Sequence, residues 1–215
     1  MRSEEEKERR RQESGVRRQE SGGVVILVLL MAELLLFILS WLLSATRMEG
    51  VRSLLSSEGI RWFFGSFTEM VASPLLVWLL LGLIAYGCLK RSGLLSITQS
   101  KFSISYRQRV ALRVALVFLV IYVVMIALLT LMPHAILLSA TGSLFPSAFS
   151  RSLIPILAFG ICLVSISYGL VSGHLSGLGD ILSALSSGIA NGAPIIILYL
   201  LFIQFYESLR FVFGL

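Results

Sequence analysis

The stretch Gly23 to Ala45, GVVILVLLMAELLLFILSWLLSA, decides the fold. As a helix rising about 1.5 Å per residue it exceeds the roughly 30 Å of hydrocarbon in a bilayer. It is also longer than the apolar region of a cleavable signal peptide, so it reads as a first membrane span and an uncleaved anchor. Its one ionisable residue is Glu33, half-way along.

The rest of the chain has the same character. Of 215 residues, 56% are hydrophobic and 14% charged, well below the roughly 25% charged of soluble domains. With about 20 apolar residues per span, the sequence predicts an all-α polytopic membrane protein of about five transmembrane helices. The spans fall near 23–45, 67–89, 109–132, 151–172 and 193–213. One or two amphipathic helices lying at the membrane surface accompany them, the clearest over Val51 to Gly65, where Trp62 sits among Arg52, Glu58 and Arg61.

Before the first span, residues 1–22 alternate charge signs and repeat Arg-Arg-Gln-Glu-Ser-Gly at 10–15 (as Arg10-Arg11-Gln12-Glu13-Ser14-Gly15) and at 17–22. With only Met1 and Val16 apolar, this segment has no core to bury and reads as a charged cytoplasmic tail, disordered or a frayed helix. The linker from Lys90 to Gln108, with Arg91, Lys101 and Arg107 and with Arg109 and Arg113 just beyond it, has no acidic residue. By the positive-inside rule it faces the cytoplasm, which puts the N-terminus inside and the C-terminus outside. The net charge of +6 resides largely in these topology signals, so nucleic acid is not an expected partner.

Pro74 predicts a kink near the start of the second span. Asn191, Gly192 and Pro194 predict a break ahead of the fifth, with Asp180 as the N-cap of an amphipathic stretch before it. Cys88 and Cys162 lie in separate apolar runs and read as small packing residues rather than a disulfide or metal pair.

Polar residues within or beside the spans are the candidate site. Glu33 costs about 2.5–3.5 kcal/mol to insert at mid-membrane and therefore faces a partner or water, either as a proton carrier or as a paired group at a helix contact. Glu69 stands near the start of the second span, as a transport residue or as a helix N-terminal charge. Asn191, Gln204 and Glu207 complete the set, with Gln204 and Glu207 sharing a face at i and i+3. His134, next to Pro133, reads as an interfacial loop residue. Small residues crowd 183–192 and 160–173, favouring close helix packing within the chain or across a homo-oligomer. Neither a nucleophile triad, a paired carboxylate, a Cys/His cluster nor a phosphate loop occurs in the sequence, so neither an enzyme nor a cofactor is expected.

Two blocks of sequence carry a family resemblance. The first is Leu54-Leu55-Ser56-Ser57-Glu58-Gly59-Ile60-Arg61-Trp62, then Ala72-Ser73-Pro74-Leu75 and Lys90-Arg91-Ser92-Gly93-Leu94-Leu95. The second is Thr141-Gly142-Ser143-Leu144-Phe145-Pro146-Ser147-Ala148-Phe149, then Ser167-Tyr168-Gly169-Leu170-Val171-Ser172-Gly173 and Asp180, followed by the helix Ile195 to Phe205. In this order they resemble the AbgT family of aminobenzoyl-glutamate transporters. The resemblance implies a transporter in the bacterial inner membrane, proton-coupled and moving aminobenzoyl-glutamate or related aromatic antimetabolites. Full-length members place their substrate and ion contacts on re-entrant hairpins, which would fall between Leu95 and Phe102 and after Gln204. No counterpart of those hairpin tips occurs here, so the chain reads as a shortened member and no substrate ligand is carried over. The other reading is a non-transporting scaffold or accessory subunit that keeps the family's helices and binds another membrane protein.

Overall fold

Every described apolar run is an α-helix, because in hydrocarbon each backbone N–H and C=O must find its partner within the segment. The computed structural model describes residues 2–46, 50–95, 105–131 and 148–214. The expectations for His134, for Thr141 to Ser147 and for residues 96–104 of the basic linker fall outside them.

The helices are α1 (Arg2–Ala45), α2 (Ser57–Gly65), α3 (Phe67–Val71), α4 (Pro74–Arg91), α5 (Tyr106–Leu131), α6 (Ala148–Ser172) and α7 (Leu178–Phe213). Among the described residues five are long and apolar enough to cross a bilayer: Gly22–Ala45 of α1, α4, Tyr106–Thr130 of α5, Ser152–Ser172 of α6, and α7. Their outer faces stay apolar and uncovered by protein, as at Val24, Leu27, Leu34, Leu116, Val120 and Phe159. Lipid covers such faces, and the chain is an integral membrane protein.

Four local features differ from the sequence reading. The charged segment 2–21 is helical and continuous with the first span. A helix already formed by an apolar span extends at little cost into a segment that has no core of its own. The expected span 67–89 is two helices, broken at Ala72 and Ser73. Pro74 disfavours helical backbone at the residue before it, and Ser73 N–H turns back to the Val71 carbonyl at 2.7 Å.

The amphipathic segment 51–65 is helical only from Ser57. Ser56 caps it, its Oγ accepting from Gly59 N–H at 3.0 Å. Ser56→Ala should cost about 1 kcal/mol, to be read as a lowered thermal midpoint of the purified protein in detergent. The fourth difference is α7, which runs unbroken through Asn191 and Pro194. Asn191 Nδ2 donates to its own helix at the Ser187 carbonyl, 2.6 Å away, and a proline inside a spanning helix is tolerated where local adjustment satisfies the freed carbonyl.

Asp180 likewise works from inside α7 rather than at its cap. The helix starts after Gly177, and the Asp180 carboxylate reaches back to accept from Ser176 N–H at 2.9 Å and from the Ser176 hydroxyl. The carboxylate thus ties the residue ahead of the N-cap to the first turn of the helix, where its negative charge is favourable. At the end of α6, Gly173 takes φ +86° and its N–H closes on the Gly169 carbonyl at 3.1 Å, a left-handed stop that glycine adopts without strain.

The chain divides into two compact units, Met1–Leu76 with Pro194–Leu215, and Val77–Ala193. In the first, Leu36 of α1, Leu54 and Val212 of α7 form a buried core with Phe37, Trp62 and Phe205 around it. Trp62 stacks on Phe211 at 4.3 Å, and Arg52 N–H donates to the Val212 carbonyl at 2.9 Å. The Ser73 and Tyr199 hydroxyls are hydrogen-bonded to each other in the same unit.

In the second unit, Ala111 and Ala115 of α5 pack on Tyr168 of α6. The Tyr122 hydroxyl donates to the Ile156 carbonyl at 2.8 Å. Gly160 makes room for the Tyr122 ring, since a Cβ there would stand 2.8 Å from Cε1.

Candidate functional site

The first unit holds a polar seam between α1 and α7. On α1, Glu33, Leu36, Phe37 and Ser40 recur at i, i+3, i+4 and i+7, one face of a helix. On α7, Gln204, Ser208 and Val212 recur every fourth residue and are all buried. The Ser208 hydroxyl donates to Glu33 Oε1 at 2.7 Å. Further along, Ser40 Oγ accepts from Leu54 N–H at 3.2 Å and donates to the Phe37 carbonyl at 2.9 Å.

The seam is incompletely satisfied. Glu33 Oε2 is buried without a hydrogen-bond partner, and so are both Oε1 and Nε2 of Gln204, whose side chain is only 7% exposed. Leaving a buried polar group unpaired costs about 1–3 kcal/mol, so these atoms do not stabilise the fold. Groups of this kind in a membrane interior characteristically serve ion or proton traffic. The arrangement offers one carboxylate oxygen anchored by a hydroxyl, a second oxygen free to bind or release a proton, and a neutral amide with a donor and an acceptor both uncommitted.

The remaining candidates lie elsewhere. Glu69 is exposed in the first turn of α3. Asn191 is exposed and bonded to its own helix. Glu207, paired in the sequence reading with Gln204, turns the other way and forms an i,i+3 ion pair with Arg210 at 3.3 Å. Ser208 was not among the candidates. Its signal was the four-residue spacing from Gln204 to Val212, which marks the buried row of α7 better than the three-residue step to Glu207 does.

Residues 96–211 match the model of the AbgT putative transporter family, more than half of the chain. The chain belongs to that family. The matched region of this AbgT member takes in Gln204 and Ser208, whereas Glu33 precedes it. Among solved structures, the YdaH transporter of Alcanivorax borkumensis is similar over 88% of this chain and 71% of its own, with a TM-score of 0.77 and 16% identity. That likeness shows a shared fold, described for YdaH as an unusual topology. No curated protein matches the chain. Family and fold together make this an integral membrane protein with a transporter's architecture.

Proposed function

We propose that this AbgT member carries aminobenzoyl-glutamate or a related aromatic antimetabolite across the inner membrane, coupled to protons, with Glu33 as the proton-carrying group. The observation that supports the coupling is the Glu33 carboxylate itself, buried in the seam with Oε1 held by Ser208 and Oε2 unpartnered. A fixed carboxylate with one open oxygen can take up a proton in one step of transport and release it in another. Gln204, unpartnered beside the same row of α7, is the group available to a polar part of the cargo.

In this proposal the N-terminus is cytoplasmic, on the strength of Lys90, Arg91, Arg107, Arg109 and Arg113. The working form is a homo-oligomer.

The test is uptake of radiolabelled aminobenzoyl-glutamate by proteoliposomes holding this protein alone. Accumulation should follow an imposed pH gradient and collapse with a protonophore. A flat response at every gradient would sink the proposal. Gln204→Leu adds a sharper check. Removing an unpaired buried amide should leave thermal stability equal or higher, while the substrate concentration for half-maximal uptake rises; unchanged uptake would take Gln204 out of the cargo site.

A further inference from the structure

Cys88 of α4 and Cys162 of α6 read in the sequence as unrelated packing residues. Both are free thiols, Cys88 buried and Cys162 half-buried. The second unit brings them within hydrogen-bonding reach of each other.

The backbone packing that does so is independent of sulfur. A Cβ built on Gly169 of α6 would stand 3.4 Å from the Ser92 Cβ just past the end of α4, so the absent side chain lets the two segments close together. Cys88 is one turn before Ser92. Cys162 is two turns before Gly169, on the face it shares with the fully buried Ser165. Each cysteine therefore projects from the side of its helix that meets the other. Among the described residues no group of three or more His, Cys, Asp and Glu gathers in the structure. The chemistry open to the site is that of two thiols.

We propose that Cys88 and Cys162 are a modification site, a thiol pair that a membrane-soluble quinone oxidises to an intramolecular disulfide joining α4 to α6. Two S–H bonds break and one Sγ–Sγ bond forms; the two electrons and two protons pass to the quinone, which leaves as hydroquinone. Cys162 is the entry point. It is the more exposed of the two and lies between the outward-facing Phe159 and Ile161 and the buried Ser165, within reach of an oxidant dissolved in lipid. Water-soluble oxidants have no such access to Cys88. The closed form ties two helices of the second unit, and reduction by a dithiol restores the open one. This inference stands on the thiol geometry and not on the transport proposal.

The experiment treats the full-length protein, purified in mild detergent and fully reduced, with a short-chain ubiquinone. Alkylation after denaturation then counts the remaining thiols, and peptide mapping locates the product. The expected result is an intact mass lower by two hydrogens, loss of both alkylatable thiols, and one cross-linked pair containing Cys88 and Cys162, reversed by dithiothreitol. Cys88→Ser should keep its single thiol fully alkylatable under the same treatment. Two thiols still alkylatable in the wild type, a mass increase from quinone addition, or a disulfide between two chains would each overturn the proposal.

Discussion

Glu33→Gln should reduce pH-gradient-driven uptake in proteoliposomes to background while leaving the protein folded and membrane-inserted. Glutamine has the size of glutamate and keeps an oxygen to accept the Ser208 hydroxyl, now at 2.7 Å from Glu33 Oε1. It cannot take up and release a proton. The loss should therefore be confined to coupling, and a second assay separates it from collapse of the fold. Vesicles preloaded with unlabelled substrate should still exchange it for labelled substrate, because exchange needs no net proton movement. Uptake that still follows the pH gradient in Glu33→Gln would remove Glu33 from the mechanism. Loss of monodisperse protein would instead assign the residue to the helix contact, the other role open to a carboxylate at mid-span.

Gly188→Val should be the most damaging single change to the fold. A Cβ on Gly188 of α7 would overlap the Leu83 carbonyl oxygen of α4 and stand 2.7 Å from the Leu83 carbonyl carbon. On the other side of the contact, a Cβ on Gly87 would stand 2.7 Å from the Ala184 carbonyl oxygen and from Gly188 Cα. These are backbone atoms, which cannot swing aside as the end of a side chain can. Helices in lipid associate largely through such close approach. Overpacking a buried site commonly costs about 1–3 kcal/mol, and a clash with backbone lies at or beyond the upper end. The expected readout is loss of the monodisperse peak in detergent together with a lower thermal midpoint. Gly82→Ala is the control, since a Cβ there meets nothing within 4 Å. A Gly188→Val protein as stable as the wild type would refute the α4 to α7 contact.

The two prolines show how far local sequence reaches. Pro74 and Pro194 both stand inside apolar runs, and both were expected to disturb a helix. Pro74 starts a new helix after the Ala72–Ser73 break, whereas Pro194 sits within an unbroken α7. The covalent constraint is the same in the two places, and the surroundings settle whether the helix stops. The charged segment teaches the converse. Its lack of apolar residues argued against a packed core, yet a helix needs none when it extends an existing helix.

The candidate site was half legible. Glu33 stood out because a carboxylate in a 23-residue apolar run has a cost that demands a reason. Gln204 stood out as an amide in the last span. Ser208 did not, since a serine in a spanning helix is ordinary and satisfies itself on its own backbone in most settings. Its importance comes from Glu33, a residue far away in the chain and on another helix. The same holds for Cys88 and Cys162, each of which reads in its own run as a small packing residue.

By itself the sequence determined that this is a helical membrane protein of about five spans, matching the five helices long and apolar enough to cross a bilayer among the described residues, and its motif blocks pointed to the AbgT family. Hydrocarbon imposes those outcomes residue by residue, because backbone polar groups there must be satisfied within the segment and the apolar length must match the bilayer. Only the tertiary structure decided which polar and small residues meet: Glu33 with Ser208, Cys88 with Cys162, Gly87 with Gly188. Once inside lipid, every apolar helix face is equally at home. The choice of neighbour then rests on close packing and hydrogen bonds between segments distant in sequence, which local pattern does not encode.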